Sequence, residues 1–68
     1  MNFGIFLEQE LSNQNLSKSS FSKKLSISRQ TLTTNIQQWK NGREPNIKTI
    51  KKYLKILNID ATLFFMNM

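Results

Sequence analysis

Residues 16–45 read LSKSSFSKKLSISRQTLTTNIQQWKNGREP, and this stretch decides the fold. Its apolar residues recur at helical spacing on both sides of a short polar interruption. The first repeat predicts a helix over 18–25, and the second predicts a helix over 29–39. The apolar positions of the two repeats are Phe21, Leu25, Leu32, Ile36 and Trp39.

The interruption between these helices has the residues that a tight interhelical turn needs. Ser22 is small enough to lie where the second helix crosses the first, Ser26 is compatible with a turn, and Ile27 is an aliphatic residue that we expect to be buried. Ser17 and Ser28 are the expected N-caps, because a serine hydroxyl there accepts from free backbone N–H groups. Two short helices joined in this way form a helix-turn-helix unit.

Two more helices are predicted on either side of this unit. Apolar residues at every third or fourth position predict one over 2–14 and another over 46–58, the latter capped by Asn46. Asn41-Gly42 favours a helix stop, and Pro45 disfavours helix at the residue before it. The predicted core comprises Phe3, Leu7, Leu11, Phe21, Leu25, Ile27, Leu32, Ile36, Trp39, Ile47, Ile50, Tyr53, Leu54 and Leu57.

The tail 61–68 has a different pattern. Ala61, Leu63 and Phe65 alternate with three other residues, and a period of two predicts a β-strand. A lone edge strand is unstable in water, so the strand is expected to pair with a second copy of the chain. The alternative is a tail that folds back onto its own core. The predicted fold is all-α, with four helices in a domain over 1–60 and a dimerisation strand over 61–68.

Composition excludes most enzyme classes. The 68 residues include no Cys and no His, which removes thiol chemistry, the commonest general base and the commonest metal ligands. The acidic residues are scattered, so we expect no catalysis, no metal and no cofactor. The start MNFGIFLEQEL is unlike a secretory signal, and no apolar run approaches the roughly 18 residues that span a membrane. A cytoplasmic protein without a membrane partner is expected.

Charge is segregated along the chain. The formal net charge is +6, with −2 over residues 1–17, +9 over 18–55 and −1 over 56–68. Each single lysine on a helix is more often solvated than bound. Ten basic residues in one basic middle segment are nevertheless typical of a protein with a polyanionic partner such as nucleic acid.

Residues 16–59 resemble the Cro/CI-type (XRE family) helix-turn-helix DNA-binding domain. The resemblance lies in the run S-x-x-x-F-S-x-K-L-S-I-S-R-Q-T-L and in the turn W-K-N-G-R-E-P. It implies a lambda-repressor-like fold that binds double-stranded DNA. Lys18 stands where the family usually has Gln, Ser26 stands where Gly is more usual, and the recognition helix is about one turn longer. The segment KYLKILNIDATLFFMNM is similar to the C-terminus of HipB-like antitoxins, whose terminal strand pairs across a two-fold axis.

Three sets of site residues follow for this motif. The first turns of a recognition helix reach base edges in the major groove, while flanking polar residues hold phosphates. The expected base contacts are Arg29, Gln30, Thr31, Thr33 and Thr34. The expected phosphate contacts are Ser17, Lys18, Ser19, Ser28, Lys40, Asn41 and Arg43. The expected dimerisation residues are Thr62, Leu63, Phe64, Phe65 and Met66.

The leading functional prediction is a homodimeric transcriptional repressor that reads an inverted-repeat operator. The similarity of the tail favours the autoregulating antitoxin of a toxin–antitoxin operon, with a cognate toxin as partner. The alternative is a phage or mobile-element Cro-like repressor without a toxin. More remote alternatives are a protein-interaction module that has lost DNA binding, and a basic binder of RNA or of a membrane surface.

Overall fold

The computed structural model describes residues 2–66, which form five α-helices around one apolar core. The helices are α1 (Phe3–Asn13), α2 (Lys18–Leu25), α3 (Arg29–Lys40), α4 (Ile47–Ile56) and α5 (Ala61–Met66). The molecule measures 30 × 24 × 21 Å. Within the described residues, no helix has the length and apolar character to cross a membrane.

Polar side chains cap the first four helices and fix where each one begins. In each case a side-chain oxygen accepts a hydrogen bond from the backbone N–H three residues later, which satisfies one of the free donors at the helix start. The caps are Asn2 to Ile5 (3.0 Å), Ser17 to Ser20 (3.0 Å), Ser28 to Thr31 (3.0 Å) and Asn46 to Thr49 (2.8 Å). The caps predicted at Ser17, Ser28 and Asn46 are confirmed.

The turn between α2 and α3 has the predicted geometry. Ser26 adopts a left-handed conformation with φ 61°, which explains why glycine is the more usual residue there. The backbone N–H of Ile27 then donates to the carbonyl of Ser22 at 3.0 Å. The side chain of Ser22 is buried, and its hydroxyl donates to the carbonyl of Ser19 at 2.8 Å. A small polar residue therefore fits at this crossing without leaving a buried hydroxyl unpaired.

The core contains most of the residues that helical periodicity selected. Ile27 and Trp39 pack against it while remaining half-buried. The prediction is wrong for Ile47, which is 61% exposed. Ile47 is the first residue of α4, and the buried side of this helix begins only at Ile50. The buried apolar residues are Phe3, Leu7, Leu11, Phe21, Leu25, Leu32, Ile36, Ile50, Tyr53, Leu54, Leu57 and Phe64.

The prediction of a C-terminal β-strand is wrong, because residues 61–66 form the helix α5. The side chain of Asp60 accepts from the backbone N–H of Thr62 at 2.8 Å and thereby supports the first turn. Phe64 is only 6% exposed and packs against Phe6, with ring centroids 4.9 Å apart. The burial of Phe64 in the core of its own chain stabilises the tail more than a lone strand would. The tail therefore adopts the predicted alternative, in which it folds back onto its own core.

The change from strand to helix also removes the predicted mode of pairing between two copies. Phe64 lies in the core, so it is not available to the dimer contact proposed for the tail. Thr62 and Met66 are exposed, and Phe65 is half-buried against the core. The end of the predicted segment, residues 67–68, lies outside the described residues.

A close approach between α1 and α3 depends on Gly4. A Cβ atom at this position would lie 2.7 Å from the backbone nitrogen of Lys40 and 2.8 Å from the carbonyl oxygen of Ile36. Side-chain atoms do not tolerate such distances, so only glycine allows the two helices to lie this close. The amide of Asn2 also donates to the carbonyl of Lys40 at 3.1 Å, and the start of α1 is thus fastened to the end of α3.

Candidate nucleic-acid interface

Helix α3 has one face in the core and the opposite face in solvent. Leu32 and Ile36 are fully buried, and they hold the helix against the rest of the domain. At about 100° per residue, Gln30, Thr34 and Gln37 lie within an arc of about 60° on the side of the helix away from these anchors. All three are exposed. We call Gln30, Thr34 and Gln37 the outer row.

Every residue predicted to contact bases lies on the exposed part of α3, although the five do not share one line. Gln30 and Thr34 belong to the outer row. Arg29 and Thr33 lie on one flank of the row, and Thr31 lies on the other flank. The exposed polar surface of the helix thus consists of the outer row and one flank on each side of it.

The hydroxyl groups at the start of α3 are occupied by contacts within the helix. Ser28 accepts from the backbone N–H of Thr31 at 3.0 Å, and its own hydroxyl donates to Oγ1 of Thr31 at 2.8 Å. The side chain of Ser28 therefore acts as a cap, and its proton is already committed. The Thr31 hydroxyl accepts this bond and keeps its own proton to donate, so its hydroxyl and its methyl group are both available to a ligand.

An open polar depression lies along one edge of the outer row, lined by Ser28, Gln30, Thr31, Thr34 and Asn35. Burial raises the pKa of the Tyr53 hydroxyl on α4, and the nearby side chain of Asn35 partly opposes that rise. Asn35 therefore lies between the depression and α4.

Two of the predicted phosphate contacts are joined through a single acidic residue. Nζ of Lys40 lies 2.9 Å from Oε1 of Glu8, and Nζ of Lys18 lies 3.5 Å from Oε2 of the same carboxylate. The hydrogen bond from Lys40 and the two nearby positive charges lower the pKa of Glu8, against a smaller opposing effect of burial. Lys18 at the start of α2 and Lys40 at the end of α3 thus lie close together, and the carboxylate of Glu8 partly neutralises their positive charges.

The remaining predicted phosphate contacts lie at the start of α2 and in the loop after α3. Ser17 and Ser19 are exposed at the start of α2, where Ser17 caps the helix and donates to the hydroxyl of Ser20 at 3.0 Å. Asn41 and Arg43 are exposed just after α3. All four side chains are therefore accessible to a ligand.

Sequence reasoning missed three residues of this surface. The sequence predicts no role for Glu8, because helical periodicity carries no signal for its two lysine partners. Gln37 and Gln38 are not among the predicted contacts, although the recognition helix is about one turn longer than in the family pattern. Helix α3 continues without interruption to Lys40, and both glutamines are exposed on it. The rotation of about 100° per residue is sufficient to predict their exposure from the sequence.

A comparison with protein families supports the assignment of the fold. A helix-turn-helix family model matches residues 7–64, which includes all of α2, α3 and α4. No curated protein and no solved structure matches the chain. The matched family consists of DNA-binding regulators rather than enzymes. The chain belongs to the XRE-type helix-turn-helix family of DNA-binding transcription regulators.

Proposed function

We propose that this protein is a sequence-specific repressor that binds double-stranded DNA through α3. The observation that carries the proposal is the outer row, which is polar and exposed on a helix anchored by Leu32 and Ile36. A helix of this kind fits the major groove, where each base pair presents a distinct pattern of donors and acceptors. No aromatic side chain projects from the described face of α3 to suggest a single-strand stacking surface.

Different residues of this surface take different roles in the proposal. The amide of Gln30 suits a bidentate pair with adenine, and the methyl groups of the threonines suit contact with thymine. Arg29 lies on a flank, where its guanidinium reaches a guanine or a phosphate. The phosphate contacts come from the flanking residues Ser17, Lys18, Ser19, Lys40, Asn41 and Arg43, while Ser28 contributes as a cap.

The proposal includes a homodimer that reads an inverted repeat. A single α3 covers only a few base pairs, and a two-fold pair of such helices reads half-sites about 34 Å apart. The proposal assigns no pairing surface to this homodimer, since α5 replaces the strand that was expected to form it. Molar mass in solution, determined by light scattering, tests this part directly.

The main experiment selects duplexes from a random library and titrates the selected sequence from 50 to 300 mM salt. We expect selective binding whose affinity falls steeply with salt, because neutralised phosphates release counterions. Q30A should relax the preference at one base pair, with a loss of about 1–3 kcal/mol on the preferred sequence. R43Q should weaken all sequences alike and reduce the salt slope by about 1.

A matched control is K24Q, which removes one positive charge from an exposed position on the outer side of α2. It should change the binding of all sequences less than R43Q does. Failure to enrich any sequence, or equal effects of Q30A on selected and random duplexes, would contradict sequence-specific recognition by α3.

The biological role depends on whether a toxin binds the repressor. The similarity of the tail to paired antitoxin strands no longer supports the antitoxin role, because α5 is helical. That role therefore remains a proposal beside the Cro-like one. Co-expression with the product of the adjacent gene tests it: a stable complex that retains operator binding supports an antitoxin, and a repressor that purifies alone supports the Cro-like role.

A further inference from the structure

A second basic surface lies on α4, outside the proposed DNA-reading face. Four lysines are exposed there, and Ile47–Ile56 carries no acidic residue. The described residues contain two ion pairs, both made by Glu8, so none of these four lysines is paired with an acid within residues 2–66. We call this set, Lys48, Lys51, Lys52 and Lys55, the α4 lysine row.

The lysine row is concentrated on one side of the helix. At about 100° per residue, its four side chains lie within an arc of about 100°. Lys48 and Lys55 are separated by about 10 Å along the helix axis. Since the charges of one DNA strand are spaced about 3.4 Å along its axis, the row faces about three consecutive phosphates.

The lysine row and the outer row point in opposite directions. Tyr53 links the two helices, since its ring centroid lies 5.4 Å from that of Trp39. The outer row lies about 170° around α3 from Trp39, and the lysine row lies about 150° around α4 from Tyr53. One straight duplex in contact with the outer row therefore does not reach the lysine row.

We propose that the α4 lysine row binds the phosphate backbone of a second DNA duplex, so that the protein bridges two DNA segments. This inference rests on the proposed function for the first segment. A lysine acts as a point charge toward phosphate and reads no sequence, so the second contact is independent of sequence. The row contains no aromatic anchor of the kind that dominates protein interfaces, which favours a polyanion over a protein partner.

The test measures whether protein bound to one duplex retains a second duplex. A biotinylated duplex that carries the selected sequence is loaded with protein on beads, and a fluorescent duplex of random sequence is then added. We expect the wild-type protein to retain the second duplex. The double variant K51Q/K55Q should retain less, with a salt slope of retention lower by about 1.8, since two phosphate contacts are lost.

The matched control is K23Q/K24Q, which removes the same charge from exposed positions on α2. It should retain the second duplex as the wild-type protein does. Both variants should keep the wild-type urea midpoint and bind the selected duplex with equal affinities. Binding of the selected duplex is also measured for the wild-type protein. If the wild-type protein does not bind that duplex, the proposed function is refuted rather than the bridge.

Three results would overturn the bridge while leaving the proposed function intact. The first is selected binding by the wild-type protein with no retention of a second duplex. The second is equal retention by K51Q/K55Q and K23Q/K24Q, which would place the second contact elsewhere. The third is a loss in K51Q/K55Q of binding to single-stranded polyuridine without any change in duplex retention, which would assign the row to RNA.

Discussion

Nζ of Lys40 lies 2.9 Å from the carboxylate of Glu8, which also lies 3.5 Å from Nζ of Lys18. The three residues come from α1, α2 and α3, and the ion pairs join these helices at the edge of the candidate DNA surface. The Glu8 side chain remains 34% exposed, so its contribution to folding is small, and each pair is worth about 0.2–1 kcal/mol. The larger consequence concerns DNA, since a phosphate must compete with Glu8 for both lysines.

Replacement of Glu8 by glutamine should therefore strengthen DNA binding. E8Q frees both lysines, and the two pairs together correspond to roughly a twofold to thirtyfold gain in affinity for selected and random duplexes alike. The measurement is fluorescence anisotropy at 100 mM salt. E10Q is the control, because it makes the same charge change on α1 at a residue whose carboxylate accepts from the side-chain amide of Gln14 at 3.5 Å and forms no ion pair within the described residues. Equal gains in E8Q and E10Q would show that only net charge matters.

The same carboxylate gives stability a specific pH dependence. The pKa of Glu8 is lower in the folded protein than its usual value of 4.5, so its ion pairs stabilise the fold above that pH. This stabilisation is lost as the pH falls through the lowered pKa. Urea midpoints of the wild-type protein and E8Q should differ at pH 7, and this difference should shrink as the pH falls below 4.5. A difference that stays the same as the pH falls would mean that the substitution acts through packing instead.

Gly4→Ala tests the close contact between α1 and α3. The new Cβ would meet backbone atoms of Ile36 and Lys40, which cannot move without displacing α3. We expect a loss of about 1–3 kcal/mol in the free energy of unfolding, although alanine favours helix more than glycine does. Urea denaturation measures it, with Q9A at an exposed position of α1 as the control. A G4A protein as stable as the wild type would exclude this contact as the reason for the glycine.

Phe64→Ala tests the position of the tail in the core. Removal of a buried phenylalanine ring costs about 3–5 kcal/mol, a large share of the stability of so small a domain. M66A should change the unfolding midpoint very little, since Met66 is 75% exposed. Light scattering accompanies both measurements. A monomeric F64A protein of unchanged stability would instead return the tail to a role in pairing.

The sequence by itself determined the elements that depend on near neighbours along the chain. Ser17, Ser28 and Asn46 bond to backbone N–H groups three residues away, so short-range chemistry was enough to predict where α2, α3 and α4 begin. The left-handed turn at Ser26 and the apolar stripe of α3 are equally local. The same periodicity placed the predicted base-contact residues on the exposed part of the recognition helix.

Tertiary structure decided the features that depend on partners far along the chain. The tail became a helix because Phe64 finds a place beside Phe6, 58 residues earlier, and no alternating pattern records the shape of that site. The close approach of α1 to α3 is the reason that position 4 requires glycine, and the same approach brings Glu8 next to Lys40. Burial and charge pairing depend on which surfaces meet in three dimensions, and a one-dimensional pattern does not contain that information.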